Sequence, residues 1–144
     1  MQYSTRFSIG LIPHGVPKIN YGVDAATVNT ELIVSQPMAL NFDLDLSAGA
    51  HTVFLDFYNK TNDLPETALE IEYVEFEGMR LDRFKWSSRY YPVYPEPWAS
   101  QQDHLPEFHA SATYMGWNGR WELYFDTPIF TWIHRLENLG WIYS

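Results

Sequence analysis

The sequence predicts an all-β protein in which two antiparallel sheets pack as a β-sandwich or jelly roll. Apolar and polar residues alternate with a period of two over most of the chain, as in strands that bury one face. Turn residues separate these segments at short, regular intervals, and no segment shows a convincing helical period. With 46% hydrophobic and 17% aromatic residues among 144, the chain is expected to form a single domain, residues 1–144, with a sizeable core.

Five strands are predicted in the first half of the chain, at residues 3–11, 28–34, 38–46, 51–58 and 69–78. Pro13 and Gly15 end the first strand, and a turn at residues 47–50 separates the third from the fourth. In the fifth strand the apolar phase changes, which predicts a β-bulge near Tyr73 or Val74. The core is expected to contain Val53, Leu55, Phe57, Leu69, Ile71, Leu123 and Phe125.

In the second half, residues 84–98 combine many aromatic residues with Pro92, Pro95 and Pro97. The prolines remove backbone donors and clash with a preceding helical turn, so an α-helix is not expected. Aromatic rings carry a large hydrophobic driving force and pack on a core or on a partner. We therefore interpret this segment as a long ordered loop that defines a surface.

The remaining strands are predicted at residues 111–115, 120–126 and 128–136, with a further apolar edge at 137–143. Trp117-Asn118-Gly119 lies between the first two of these strands. The Asn-Gly pair supplies the positive φ angles of a type I′ turn, which predicts a β-hairpin at this point. Residues 99–110 are expected to be irregular.

Composition and charge exclude several classes of protein. The net charge is −9, and residues 1–79 hold eleven acidic residues against three basic ones, so a nucleic-acid surface is not expected. No apolar run is long enough to predict membrane insertion. The N-terminal residues lack the features of a signal peptide, which favours a protein that is made in a cytoplasm. The absence of cysteine excludes disulfides and thiolate metal sites.

No set of residues indicates catalysis, so enzyme activity is not expected. Carboxylate pairs such as Asp43 and Asp45, or Glu70 and Glu72, have the spacing of a solvated strand face. The five histidines show no zinc-binding spacing. The chain also lacks a GxSxG motif and a glycine-rich phosphate loop.

Aromatic residues in and near the loop are the best candidates for a binding surface. They are Trp86, Tyr90, Tyr91, Tyr94, Trp98 and Trp117. Such rings stack on sugars, and they are also enriched at interfaces with protein partners or with a second copy of the same chain. The loop holds more rings than the two or three that a sugar needs, which favours assembly over carbohydrate binding.

A second candidate site is the polar loop that contains Asn59, Thr61, Asn62, Asp63 and Glu66. Hard oxygen ligands of this kind suit calcium. Asparagine and aspartate also dominate loops because they favour turns. The first expectation is therefore that the protein needs no cofactor, with calcium as the alternative.

Residues 46–78, LSAGAHTVFLDFYNKTNDLPETALEIEYVEFEG, resemble the central part of the calcium-dependent xylan-binding modules. The resemblance implies a small carbohydrate-binding-module-like β-sandwich that contacts sugar hydroxyls through calcium. Asn59 matches the asparagine of the motif, whereas Lys60 stands where its aspartate should be. Asn62 and Asp63 fit the motif only after a shift, and Glu72 stands where an aspartate is usual. The implied calcium ligands are thus Asn59, Asn62, Asp63 and Glu72.

Two segments of the second half, residues 83–102 and 116–143, are similar to small uncharacterised proteins of T4-like tailed bacteriophages, notably those that infect cyanobacteria. The similarity implies a virion-associated accessory protein that is made in the host cytoplasm. The leading expectation is a non-enzymatic structural or decoration protein that contacts other proteins on a phage particle. The alternative is a free carbohydrate-binding module, with or without calcium.

Overall fold

The computed structural model describes residues 2–24, 26–61, 63 and 66–136, most of which lie in strands. In chain order the strands are β1 (Gln2–His14), β2 (Lys18–Val23), β3 (Ala26–Ile33), β4 (Met38–Ser47), β5 (Gly49–Phe57), β6 (Ala68–Phe76), β7 (Met79–Arg80), β8 (Ser88–Pro92), β9 (His109–Ala110), β10 (Tyr114–Met115) and β11 (Gly119–Thr127). Two α-helices are described, α1 (Asp82–Trp86) and α2 (Ile129–Leu136), together with a 3₁₀ helix at Ala99–Gln101. The all-β, sandwich-like expectation is confirmed.

The strands form two antiparallel sheets. The first sheet has the order β10-β6-β1-β4, with β7 paired to β6. The second has the order β3-β2-β5-β11-β8-β9. Consecutive strands β4 and β5 lie in different sheets, so the short turn at Ala48 carries the chain from one sheet to the other.

The core consists of the inward-facing side chains of the two sheets. All seven predicted core residues are buried: Val53, Leu55, Phe57, Leu69, Ile71, Leu123 and Phe125. Phe7, Phe76 and Phe125 bring aromatic rings from both sheets together, with centroids 5.1–5.4 Å apart. One face of each sheet is buried in this way because the apolar residues alternate with polar ones along the strands.

The predicted bulge is present in β6, one residue earlier than expected. Leu11 of β1 pairs with Ile71, whereas the preceding Gly10 pairs with Tyr73, so Glu72 is the extra residue. Tyr73 lies across Gly10, where a Cβ atom would be 2.1 Å from the tyrosine ring. Glycine is therefore required at this position by the close approach of the ring.

Two predictions in the second half are wrong because the segments are helical. Of the predicted strand at residues 128–136, residues 129–136 form helix α2, in which Ile129, Trp132, Ile133 and Leu136 follow the spacing of one helix face. Helix α1 occupies the start of the predicted aromatic loop and buries Phe84, while the prolines come only after it. No helix among the described residues is long and apolar enough to span a membrane. The predicted edge at 137–143 lies outside the described residues.

The predicted hairpin at Asn118-Gly119 is also wrong. Of the predicted strand at 111–115 only Tyr114 and Met115 form β10, which pairs with β6 in the first sheet. The turn leads from there to β11 in the second sheet. At Gly119 a Cβ atom would lie 2.3 Å from the carbonyl oxygen of Tyr91, so this glycine permits close contact with β8. Strands β2, β7, β8 and β9 were not predicted, and β8 occupies residues 88–92 of the segment that was interpreted as a loop.

His51 connects the ends of several strands. Its Nδ1 lies 2.9 Å from an Asp24 carboxylate oxygen, and its Nε2 lies 2.6 Å from the carbonyl oxygen of Ser47. Burial alone would lower the pKa of His51, but the hydrogen bonds to Ser47 and Asp24 and the charges of Asp24 and Asp126 raise it above 6.5. The protonated ring donates to both acceptors, so it stabilises the contact between β5, the β2–β3 turn and β4.

We expect this histidine to make the stability of the fold depend on pH. Because its pKa is higher in the folded chain than in the unfolded one, its stabilisation is complete below pH about 6.5 and is lost as pH rises through the folded-state pKa. Urea unfolding of the wild type and of His51→Gln between pH 5 and pH 8.5 measures the effect. The free-energy difference between the two proteins should be largest at pH 5 and should shrink as pH rises. A difference that stays constant with pH would contradict this role.

Candidate aromatic groove

The chain that follows β8 contributes to a groove that lies where β8 ends and β11 begins in the second sheet. The groove has a volume of about 390 Å³. Its lining residues are Tyr94, Pro95, Glu96, Pro97, Trp98 and Trp117, and we refer to it as the aromatic groove. Apolar surface with a few polar groups is typical of ligand-binding depressions.

The rings of Tyr94 and Trp98 form the main apolar surface of the aromatic groove. Their centroids are 6.1 Å apart and their planes are inclined by 38°. The hydroxyl of Tyr94 donates a hydrogen bond to the carbonyl oxygen of Pro106 at 2.6 Å, which fixes the orientation of its ring. Trp98 is 45% exposed to solvent, so much of this residue is accessible to a ligand.

The hydroxyl of Tyr90 forms hydrogen bonds with the backbone of Trp117, which also lines the groove. This hydroxyl donates to the carbonyl oxygen of Trp117 and accepts a hydrogen bond from the Trp117 backbone N–H at 3.2 Å. The side chain is buried, and burial raises the pKa of Tyr90 to about 12. Tyr90 therefore remains neutral at physiological pH and positions Trp117 from within the protein.

Asn118 ties the turn before β11 to the loop after β5. Its side-chain oxygen accepts from the backbone N–H of Lys60 at 2.7 Å, and its amide nitrogen donates to the carbonyl oxygen of Lys60 at 3.0 Å. Its own carbonyl oxygen accepts from the backbone N–H of Val93 at 2.7 Å. The ammonium group of Lys60 lies 5.0 Å from the centroid of the Trp117 ring, a cation–π contact. Asn118 thus links three segments of the chain: the loop after β5, the chain after β8 and the turn before β11.

A second depression of about 410 Å³ continues from the aromatic groove and shares Tyr94, Pro95, Glu96 and Trp117 with it. Its other lining residues are Lys60, Thr61, Val93 and Asn118, and we refer to it as the polar groove. An ammonium group, a hydroxyl and a carboxylate therefore lie beside the aromatic rings. Such groups donate and accept hydrogen bonds with a polar ligand.

Comparisons with known proteins add no family to this description. No family model, curated protein or solved structure matches the chain.

The predicted aromatic residues divide into three groups. Tyr94, Trp98 and Trp117 line the aromatic groove. Tyr90 is buried and does not line the groove, and its hydroxyl forms hydrogen bonds with the backbone of Trp117. Tyr91 is half-buried on the outer face of the second sheet, and Trp86 lies on α1 and is not among the lining residues.

Sequence reasoning missed two contributions to the site. Asn118 was assigned to a hairpin turn, and Lys60 was noted only as a departure from a calcium motif. Their contact joins residues 58 positions apart in the chain. No local pattern indicates such a contact, although an Asn-Gly pair beside tryptophan marks the turn itself.

The predicted calcium ligands are not brought together in the described part of the chain. The side chain of Asn59 accepts from the backbone N–H of Lys18 at 2.8 Å and donates to the carbonyl oxygen of Val16 at 3.0 Å. Glu72 is the exposed bulge residue of the first sheet, whereas Asn59 follows a strand of the second. Asp63 is exposed, and Asn62 lies outside the described residues. Within the described ranges, no group of three or more histidine, aspartate or glutamate side chains is placed to hold a metal ion.

Proposed function

We propose that this protein is a non-enzymatic carbohydrate-binding protein that is carried on the particle of a tailed bacteriophage. The observation that supports carbohydrate binding is the aromatic groove, in which Tyr94, Trp98 and Trp117 surround one depression. The place on a phage particle, as an accessory or decoration component with a carbohydrate-binding-module-like fold, comes from the sequence resemblances.

The groove combines the two kinds of contact that a sugar makes. A pyranose ring has an apolar face of C–H groups, which packs on an aromatic ring, and an equator of hydroxyls, which form hydrogen bonds. The indole of Trp98 offers the first kind of surface, because it is exposed and oriented against Tyr94. Lys60, Thr61 and Glu96 offer the second kind in the adjoining polar groove.

The structure changes the balance between the two functions that the sequence allowed. Assembly was favoured because the loop holds many rings. Phe84 and Tyr90 prove to be buried, however, and three of the predicted binding rings remain around the groove. Three rings lie within the two or three that a sugar needs, so the groove supports carbohydrate binding better than a broad protein interface.

The carboxylates near the groove favour binding over cleavage. Hydrolysis of glycosides by the usual route needs two carboxyl groups on opposite sides of the bond that is broken. Among the described residues that line the aromatic and polar grooves, Glu96 is the one acidic side chain, and it accepts a hydrogen bond from the hydroxyl of Ser100. We therefore propose that the groove holds a sugar without reacting with it.

The double variant Tyr94→Ala/Trp98→Ala is expected to lose at least tenfold in affinity for a bound oligosaccharide, about 1.4 kcal/mol, because both rings leave the groove. Calorimetric titration with a panel of neutral oligosaccharides measures the loss. Trp86→Ala is the matched control, since it removes an exposed tryptophan, 53% accessible, that does not line the groove. Equal affinity of the wild type and the double variant would contradict the proposed site.

A protein interface is the second candidate, and it is supported by exposed rings outside the groove. Phe130 on α2 is 55% exposed, and Trp86 on α1 is exposed to a similar degree. The two helices pack on each other through Phe84 and Trp132, whose ring centroids are 5.6 Å apart. If this end of the molecule docks on a particle, Trp86→Ala/Phe130→Ala should abolish particle binding, and the groove variant should retain it.

The phage setting has a direct test of its own. Mass spectrometry of purified particles of the phage that encodes the chain is expected to detect it at a fixed copy number. Absence from washed particles, combined with sugar binding by the isolated protein, would leave the alternative of a free carbohydrate-binding module.

A further inference from the structure

A third depression extends the two grooves onto the outer face of the second sheet. It has a volume of about 320 Å³. It shares Val93 and Asn118 with the polar groove, which in turn shares four residues with the aromatic groove. Its other lining residues are Asp56, Phe57, Tyr58, Tyr91, Gly119 and Arg120. Each depression therefore adjoins the next through shared lining residues, and we refer to the three together as the track.

The third depression presents fixed polar groups beside the exposed ring of Tyr58 and the half-buried ring of Tyr91. Arg120 forms two hydrogen bonds with Asp56, from Nε at 2.7 Å and from Nη2 at 2.9 Å. These bonds use two of the five N–H donors of the guanidinium, so the others are held in a defined orientation toward the surface. The Arg120 guanidinium also lies 4.4 Å from the centroid of the Phe54 ring, which restrains it further.

Two tyrosines complete this part of the track. Tyr58 is 39% exposed at the end of β5. The hydroxyl of Tyr91 lies 3.2 Å from that of Tyr124, which donates to Glu122 at 2.9 Å. The position of Tyr91 is thus set by a hydrogen-bonded chain on the sheet. The third depression thus places aromatic rings beside a cationic side chain, Arg120, as the first two grooves place them beside Lys60.

We propose that the track binds one extended, neutral oligosaccharide chain, with Trp98 and Tyr94 contacting one end and Tyr58, Tyr91 and Arg120 contacting sugars further along. This inference rests on the proposed function, because it assigns a ligand length and a second subsite to the same surface. A row of adjoining depressions suits a chain of several sugars, since each additional sugar gains contacts without a new loss of translational freedom.

The charges along the track favour a neutral chain. Its described lining residues include two acids, Asp56 and Glu96, and two bases, Lys60 and Arg120. The protein as a whole has a net charge of −9, which repels polyanions at a distance. A balanced track on an acidic protein therefore selects uncharged polysaccharide over acidic polysaccharide.

Calorimetric titration with β-1,4-linked xylose and glucose oligomers of two, four and six residues tests the inference. We expect the affinity of the wild type to rise at least tenfold from the shortest bound oligomer to the hexamer. The variant Tyr58→Ala/Arg120→Gln should lose at least fivefold for the hexamer and should bind the shortest oligomer as the wild type does. Trp98→Ala should weaken binding at every length.

The outcomes separate the inference from the proposed function. If the wild type binds oligomers of all lengths with equal affinity, the extended track is overturned, whereas the proposed sugar site in the aromatic groove is retained. This measurement needs no variant. A loss that is equal for short and long oligomers in Tyr58→Ala/Arg120→Gln would also overturn the extended track. No binding of any oligomer would overturn the proposed function together with the track.

Discussion

Replacing Phe76 with alanine is expected to lower the free energy of unfolding by about 3–5 kcal/mol, the usual cost of deleting a buried phenylalanine. Phe76 is fully buried, and its ring contacts those of Phe7, Phe84 and Phe125, with each pair of centroids 5.1 Å apart. It also contacts Trp132 of α2 at 5.4 Å. The ring therefore contacts residues of both sheets and both helices. Its removal leaves a cavity and removes the contacts that all four elements make with it.

Urea unfolding monitored by circular dichroism measures this effect. Phe130→Ala is the matched control, because the Phe130 side chain is mostly exposed and its loss should change the free energy of unfolding by less than about 0.5 kcal/mol. Equal stability of Phe76→Ala and Phe130→Ala would show that the helices and sheets do not share the described core.

Replacing Trp121 with alanine is expected to be comparably severe, at about 3–5 kcal/mol. Trp121 is fully buried in the middle of β11, and its indole N–H donates to the carbonyl oxygen of Ala112 at 2.9 Å. The substitution thus removes a large apolar surface and leaves a carbonyl group without its donor. It also affects the groove, since Trp121 pairs with Tyr90, the residue that positions Trp117.

Two further variants separate these contributions. Trp121→Phe retains most of the apolar contact and loses the hydrogen bond, so it should cost about 1–3 kcal/mol. Trp86→Ala removes an exposed tryptophan and should have little effect on stability. If Trp121→Phe were as destabilising as Trp121→Ala, the hydrogen bond and not the packing would dominate at this position.

The sheet strands were largely predictable because burial on one face produces a regular pattern in the sequence. In β4, Leu40 and Phe42 face the core while Asn41 and Asp43 face solvent, as their alternation indicates. The same pattern placed the bulge of β6 within one residue of Glu72. Such signals are local, so they survive without knowledge of the partner strands.

Helix α2 was missed because its residues favour strands. Ile129, Thr131, Trp132 and Ile133 are β-branched or aromatic, and alternation over a few residues resembles helical spacing over the same length. The helix forms because one of its faces packs on the aromatic core, where Trp132 stacks on Phe84. Tertiary contact outweighs local preference here.

The candidate site was predictable in its parts and not in its arrangement. Tyr94, Trp98 and Trp117, which line the groove, were predicted as candidate binding residues from the aromatic and proline content of the sequence. Burial of Tyr90 and the hydrogen bonds between Asn118 and Lys60 depend on contacts between distant segments. The number of accessible rings, on which our proposal of a sugar ligand rests, follows from those contacts.

The indole N–H signals of the six tryptophans in a proton–nitrogen NMR spectrum test carbohydrate binding at the groove most directly. Single tryptophan-to-phenylalanine variants assign the signals, and neutral oligosaccharide is then added to the wild type. We predict that the signals of Trp98 and Trp117 shift in a saturable manner, while those of the exposed Trp86 and the buried Trp121 remain in place. Shifts confined to Trp86, or no shift with any oligosaccharide of the panel, would contradict a sugar-binding aromatic groove.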